Sequence, residues 1–245
     1  MRIAVITGGM GGLGDSISAK MHAGGYRVVV THSPGNTKAK EWISEHKASG
    51  REFSAYPVDV ADFDSCKECV ARIGKEVGPV DILVNNAGIT RDTTFKKMSK
   101  GDWDSVIRTN LDSVFNMTKQ VMDGMVDRGW GRVVNVSSVN GSKGAFGQTN
   151  YSAAKAGMQA SPRHWRSRLH AKGLRSIPSR PATSAPRSSW RSRRKCSILR
   201  FCRRSRSDAS ARPKKLQVLS STYARGRGGV RDRRQYRDQR RQHMQ

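Results

Sequence analysis

The first 158 residues predict an α/β fold built on a parallel sheet, and two observations support this prediction. Short β-rich runs alternate with helix-like segments, which is the pattern of a doubly wound sheet with helices on both faces. A glycine-rich turn, Thr7–Gly14, separates the first run from the first helix. Together these features predict a Rossmann-like domain, whose ligands bind at the carboxyl ends of the strands.

Five strands and four helices are expected to follow one another along this part of the chain. Each strand is a run of apolar or β-branched residues bounded by glycine, proline or polar turn residues. The strands are predicted at Ile3–Thr7, Arg27–Thr31, Phe53–Pro57, Asp81–Val84 and Gly131–Ser137. The helices are predicted at Ser16–Ala23, Lys38–Ser49, Asp64–Val77 and Trp103–Arg128.

The glycine-rich turn predicts a phosphate-binding loop. Glycines between a strand and a helix let backbone N–H groups approach a pyrophosphate, and the helix N-terminus adds a partial positive charge. The residues expected to contact the cofactor here are Gly8, Gly12, Leu13 and Gly14.

The ends of the next strands indicate which dinucleotide would bind. The second strand ends in His32 and Ser33 with no acidic residue, and a carboxylate there would repel a 2′-phosphate, so NADPH is favoured. Whether His32 and Ser33 meet that phosphate or are ordinary loop residues stays open. Further cofactor contacts are expected after the third and fourth strands, at Asp59, Val60, Asn86, Ala87 and Gly88.

A serine, a tyrosine and a lysine predict the chemistry. The spacing of four places Tyr151 and Lys155 on one helix face, where the ammonium would lower the pKa of the phenol. Tyr151 could then donate a proton to a carbonyl oxygen as hydride arrives, while Ser138 stabilises the developing charge. Asn110, an awkward residue inside a helix, fits a role in holding a water on the proton path.

These motifs, in this order, resemble the short-chain dehydrogenase/reductase family. The resemblance implies a tetrad of Asn110, Ser138, Tyr151 and Lys155, with NADPH also touching Tyr151 and Lys155. The flanking stretches Asp123–Arg132, Ser137–Gly141 and Phe146–Ser152 look like acetoacetyl-CoA reductases of that family. That likeness implies an acyl-CoA substrate, a role in polyhydroxybutyrate synthesis, a homotetramer, and Gln148 as a substrate contact. Ile89–Asp92 is equally similar to 3-oxoacyl-acyl-carrier-protein reductases, which remain the alternative.

The composition changes near residue 159. Residues 1–158 carry 20 Lys and Arg against 16 Asp and Glu, whereas residues 159–245 carry 26 against 3. Only 10 of those last 87 residues are Leu, Ile, Val or Phe, which is too few for a packed core at this charge. We therefore divide the chain into a catalytic domain, 1–158, and a basic tail, 159–245, and expect the C-terminal third to be disrupted or disordered.

The tail is interpreted as the family sequence translated out of frame. Moving the codon boundaries of Ser176–Pro186 back by one base permits VNTVSPGYIGT, which resembles the family's Pro-Gly segment. Moving those of Val230–Arg241 forward by one base permits FATGANIAINGG, which resembles the family's last strand. We therefore expect the last strands and the substrate lid to be missing, and a chain with this tail to be poorly soluble or inactive.

Other functional classes are less well supported by the sequence. The Arg-rich tail would suit a nucleic-acid-binding protein, but the confinement of the charge to the tail and its frame-shifted pattern make this unlikely. The chain shows no signal peptide and no run of about 18 apolar residues, so a cytoplasmic protein without a membrane partner is expected. Cys66 and Cys69 are expected to be reduced helix cysteines, with no metal site.

Overall fold

A computed structural model describes the backbone of residues 1–169 and 175–178 and the side chains of residues 1–159. Its sheet is parallel, with the strand order β3-β2-β1-β4-β5-β6. The strands are β1 Ile3–Ile6, β2 Arg27–His32, β3 Phe53–Pro57, β4 Val80–Asn85, β5 Arg132–Asn135 and β6 Arg175–Pro178. This order confirms the predicted Rossmann-like doubly wound sheet.

The helices cover both faces of the sheet. They are α1 Gly12–Ala23, α2 Ala39–Ala48, α3 Phe63–Glu76, α4 Lys100–Ile107, α5 Ser113–Asp127, α6 Asn140–Lys143 and α7 Thr149–Leu169. One apolar cluster joins alternate residues of the central strands to α3 and α5, and the other joins the remaining residues to α1. This two-sided burial follows from the nearly continuous apolar runs of the central strands.

The predicted helix over Trp103–Arg128 is divided in two. Residues Arg108–Asp112 form a wider π-helical turn between α4 and α5. Such turns interrupt α-helices frequently at functional sites. The turn contains Asn110, whose side chain is fully buried and bonded outside its own helix.

One strand, β6, lies beyond residue 158, where the last strands of the sheet were expected to be missing. The backbone of β6 pairs in parallel with β5, with Arg132 opposite Arg175 and Asn135 opposite Pro178. An open strand edge presents unpaired N–H and C=O groups, and a short segment can satisfy them through its main chain whatever its side chains are. Helix α7 also continues to Leu169. The expectations about the remaining residues of the tail, including the lid and the Arg-rich runs, lie outside the described residues.

The two cysteines of α3 are part of the core. Cys66 and Cys69 are both free thiols and both buried. Burial raises the pKa of Cys66 to about 12 and that of Cys69 to about 11. Neutral, inaccessible thiols of this kind are inert, as expected for structural helix cysteines.

Candidate active site

The glycine loop packs closely against two neighbouring segments. A Cβ on Gly14 would lie 2.2 Å from the Gly8 carbonyl oxygen, and one on Gly9 would lie 2.6 Å from the Val30 side chain. Gly8 itself has a φ of +61°, which favours glycine. A Cβ on Gly12, by contrast, would meet no atom within 4 Å. The loop therefore has no room for side chains at Gly9 and Gly14, whereas the space around Gly12 is open.

The open side of this loop fits the pyrophosphate of a dinucleotide. Helix α1 begins at Gly12. Its N-cap residue, Gly11, makes no side-chain capping hydrogen bond. Free N–H groups and the positive end of the helix dipole favour a phosphate at such a terminus. The predicted contacts Gly8, Gly12, Leu13 and Gly14 all lie in this loop or in the first turn of α1.

Thr7 links the glycine loop to the turn after β4. Its Oγ1 accepts hydrogen bonds from the N–H groups of Asn86 and Ala87 at 2.9 and 3.0 Å. The Asn86 carboxamide in turn donates to the Thr7 and Gly8 carbonyl oxygens at 3.0 and 3.1 Å. Thr7 was missing from the predicted site residues, although its place at the head of the glycine motif was a usable signal.

The turn after β4 also approaches Asn110 and Lys155. A Cβ on Gly88 would lie 3.0 Å from Asn110 Oδ1 and 3.7 Å from Lys155 Nζ. The three predicted cofactor residues Asn86, Ala87 and Gly88 thus connect the glycine loop with two of the predicted catalytic residues. A side chain at position 88 would obstruct this junction.

The predicted contacts for the adenosine end lie at the ends of β2 and β3. Asp59 Oδ1 accepts from the Ala61 N–H at 2.9 Å, which shapes the turn. The adjacent Val60 carbonyl accepts from the carboxamide of buried Asn116 at 3.0 Å. Asn116 on α5 therefore positions this segment, and nothing in its local sequence indicates that long-range contact.

His32 and Ser33 follow β2 at the same edge of the sheet. The His32 Nδ1 lies 2.9 Å from the Ser33 carbonyl oxygen, and Ser33 is exposed. The first acidic residue after β2 is Glu41, in the first turn of α2. An exposed Ser33 hydroxyl without a neighbouring carboxylate is compatible with a phosphate. Contact of either residue with a 2′-phosphate stays a prediction.

Asn110 is bound to the chain after β4. Its Oδ1 accepts from the Ile89 N–H at 2.7 Å, and its Nδ2 donates to the Ile89 carbonyl at 2.9 Å. The carboxamide therefore fixes the loop beside Gly88. The predicted role of Asn110 in holding a water on the proton path stays a prediction.

Ser138, Tyr151 and Lys155 meet at the carboxyl ends of the central strands. Ser138 follows β5, and its hydroxyl lies close enough to the Tyr151 phenol to lower the pKa of that group. The Lys155 Nζ lies 5.6 Å from the centroid of the Tyr151 ring, as the spacing of four on α7 requires. This Nζ donates to the Val136 carbonyl at 2.9 Å. The three predicted residues are thus brought together.

The effect on the Tyr151 phenol differs from the expected one. Burial and the Asp92 charge raise the pKa of Tyr151, while the hydrogen bond from Ser138 lowers it. Lys155 is 4% exposed, and burial lowers its own pKa to about 8. The phenol is therefore held in its neutral, proton-donating form, and the expected lowering by Lys155 does not dominate in this structure.

Gln148 lies next to the tyrosine, but its side chain bonds to protein on both sides. Its Oε1 accepts from Asn140 Nδ2 at 2.7 Å, and its Nε2 donates to Asp92 Oδ2 at 2.7 Å. The sequence alone gave no sign of this bridge, because the three residues lie in separate segments. The predicted role as a substrate contact stays a prediction.

This fold and this arrangement of residues agree with a family match over most of the chain. A model of the short chain dehydrogenase family matches residues 2–192. The chain belongs to that family. The match passes Met158, where the resemblance noticed in the sequence ends. Among the described residues, no helix is both long and apolar enough to cross a bilayer.

Individual relatives are similar mainly over the catalytic part. The chain is 57% identical over 157 residues to an acetoacetyl-CoA reductase of Cupriavidus necator, an alignment that covers 64% of each protein. It is 51% identical over 173 residues to nodulation protein G of Azospirillum brasilense, covering 71% of this chain and 70% of that protein. A 3-oxoacyl-acyl-carrier-protein reductase of Staphylococcus epidermidis is 40% identical over 155 residues, covering 63% and 64%. The chain thus aligns with less than two thirds of the length of the first of these relatives.

Proposed function

We propose that this protein reduces acetoacetyl-CoA to (R)-3-hydroxybutyryl-CoA with NADPH, and so supplies polyhydroxybutyrate synthesis. The observation that supports this most is the approach of Lys155 to the Tyr151 ring, with the Ser138 hydroxyl beside the same phenol, at the strand ends that also carry the open glycine loop. A neutral phenol next to a dinucleotide cleft suits the reduction of a carbonyl group.

The chain's own residues supply the acid and the oxyanion contact. Bound NADPH would deliver a hydride to the carbonyl carbon. Tyr151 donates its hydroxyl proton to the carbonyl oxygen, and its raised pKa keeps that proton available at neutral pH. Ser138 donates a hydrogen bond to the same oxygen as negative charge develops. Lys155, fixed by the Val136 carbonyl, places a cation beneath the phenolate that remains.

The glycine loop and the end of β2 would hold the cofactor. The uncapped start of α1 binds the pyrophosphate, and Asp59 and Val60 border the adenine. The absence of a carboxylate at His32 and Ser33 removes the repulsion that a 2′-phosphate would otherwise meet. This is the basis for proposing NADPH in preference to NADH.

The choice of acyl thioester rests on sequence likeness. The 57% identity to the acetoacetyl-CoA reductase of Cupriavidus necator supports this substrate, as does the resemblance of the segments on both sides of Tyr151 to such reductases. The alternative is reduction of a 3-oxoacyl group on a carrier protein, which the 40% identity to the Staphylococcus epidermidis enzyme favours less.

Rates with the two thioesters separate these candidates. Purified protein is mixed with NADPH and either acetoacetyl-CoA or acetoacetyl-carrier protein, and the loss of reduced cofactor is followed. We expect the higher kcat/KM with the CoA ester and the R product. A higher kcat/KM with the carrier protein would reverse the assignment, and oxidation of NADH in preference to NADPH would refute the cofactor.

The tail determines which polypeptide to assay. We propose that a native protein read in the family's frame is complete and forms a homotetramer, whereas a chain with residues 159–245 as written is inactive. Peptide mass spectrometry of native protein beyond Lys155 tests this directly. Peptides containing FATGANIAINGG would support the interpretation that the tail is translated out of frame. Peptides that match the written tail would refute it.

A further inference from the structure

The bridge through Gln148 connects three separate segments around the catalytic tyrosine. Asn140 belongs to α6, which follows Ser138, and its own N–H donates to Ser138 Oγ at 3.2 Å. Gln148 directly precedes α7, which carries Tyr151. Asp92 lies on the loop after β4. One side chain therefore ties together the segments that supply the serine, the tyrosine and a nearby carboxylate.

Backbone contacts keep the same two loops together beside the bridge. The Thr93 N–H donates to the Gly147 carbonyl at 2.9 Å. The carboxamide of Asn150, which is fully buried, donates to the Arg91 carbonyl at 3.2 Å. The Asp92 main chain is thus fixed, and Gln148 determines where its exposed carboxylate points.

We propose that Gln148 is a positioning residue, which holds the Asp92 carboxylate toward Tyr151 through its bridge to Asn140. Each end of its amide makes one hydrogen bond of this bridge at 2.7 Å. The amide is suited to this place because it accepts from one neighbour and donates to a carboxylate, which an acidic side chain cannot do.

The consequence concerns the proton on Tyr151. The described charged groups that face this phenol are Asp92 on the loop and Lys155 on its own helix, with the Ser138 hydroxyl as the polar partner. A fixed negative charge disfavours the phenolate, and Asp92 accordingly raises the pKa of Tyr151. Release of the carboxylate into solvent would weaken this effect, because mobile exposed charges are screened.

The test titrates Tyr151 directly and so does not require turnover. The ultraviolet absorbance of tyrosinate is measured against pH for the full chain and for the same chain with Tyr151→Phe, and the difference isolates one phenol. The same pair of titrations, with and without Tyr151→Phe, is repeated in chains that carry Gln148→Met, Asp92→Asn or both substitutions. Gln148→Asn, which keeps an amide too short for both partners, serves if the Met variant folds poorly. Gln120→Met, on α5 away from the bridge, is the matched control.

We expect the Tyr151 midpoint to move to lower pH in Gln148→Met and in Asp92→Asn, and not in Gln120→Met. In the double variant it should move no further than in Asp92→Asn alone, because Gln148 acts through Asp92. An unchanged midpoint, or additive shifts in the double variant, would overturn the proposal.

The kinetic role rests on the proposed reductase function and is measured separately. Where the chain reduces acetoacetyl-CoA, the alkaline fall of kcat should shift in parallel with the titration, with little change in KM. A raised KM with an unmoved pH profile would instead make Gln148 a substrate contact and refute positioning. If a protein read in the family's frame reduces no thioester but the titration still shifts, the proposed function fails while the inference about Gln148 stands.

Discussion

Replacement of Lys155 by methionine should stabilise the protein while it removes activity. Lys155 is 4% exposed, and burial lowers its pKa from the ordinary 10.5 to about 8. A difference of one unit corresponds to about 1.4 kcal/mol, so the buried ammonium costs about 3 kcal/mol of folding free energy at neutral pH. Methionine has a similar length and no charge. Loss of the hydrogen bond to Val136 destabilises the variant by about 1 kcal/mol, so the free energy of unfolding should rise by about 2 kcal/mol in total.

The pH dependence of this gain has a definite sign. Because the folded-state pKa of Lys155 lies below that of the unfolded chain, the unfolded chain binds more protons between about pH 8 and 10.5. The free energy of unfolding contributed by Lys155 therefore rises with pH across that window. Below it, both states are protonated and the full cost applies. The advantage of Lys155→Met should shrink by about 2 kcal/mol or more between pH 7 and pH 10.

Urea denaturation at pH 7 and pH 10 measures both effects on the full chain. Other lysines and tyrosines also titrate in this range, so the quantity of interest is the difference between the variant and the parent. Lys143→Met, at an exposed lysine on α6, is the control and should change the free energy of unfolding by less than about 0.5 kcal/mol. A destabilised Lys155→Met at pH 7, or a difference that is the same at both pH values, would refute the reasoning.

Three further outcomes are expected. Tyr151→Phe should lower kcat by about 10²- to 10⁴-fold and leave the binding of NADPH, measured by cofactor fluorescence, unchanged. Loss of NADPH binding would contradict a role for Tyr151 as a proton donor only. Gly14→Ala, whose Cβ would lie 2.2 Å from the Gly8 carbonyl oxygen, should lower the free energy of unfolding by about 1–3 kcal/mol, and Gly12→Ala should not. Ser33→Asp should raise the KM for NADPH about tenfold or more and leave the KM for NADH nearly unchanged, because the new carboxylate would repel the 2′-phosphate. An equal change in the two KM values would exclude a 2′-phosphate contact at Ser33.

Strands and motifs that depend on local pattern could be predicted well. The apolar runs of β1 to β5 and the glycine turn before α1 lie where their sequence places them. The helical period also brings Tyr151 and Lys155 onto one face, since a spacing of four residues completes about one turn. Each of these predictions needs only residues that are close together in the chain.

Predictions that depend on contacts between distant segments were incomplete or wrong. The helix around Asn110 is interrupted by a π-helical turn, where its carboxamide binds Ile89, 21 residues away in sequence. Burial raises the pKa of the Tyr151 phenol, and the charge of Asp92 on a distant loop adds to this effect. Neither effect has a signal in the local sequence.

The sequence by itself therefore determined the sheet, the glycine loop, the family resemblance and the placement of Tyr151 and Lys155 on one helix face, because periodicity and short motifs encode them locally. Only the tertiary structure decided that Gln148 bridges Asn140 and Asp92 and that Lys155 is buried. It also decided that β6 pairs with β5 in spite of its basic surroundings. The physical reason is that hydrogen bonds across the fold and burial depend on which distant segments pack together, and that is known only once the chain is folded.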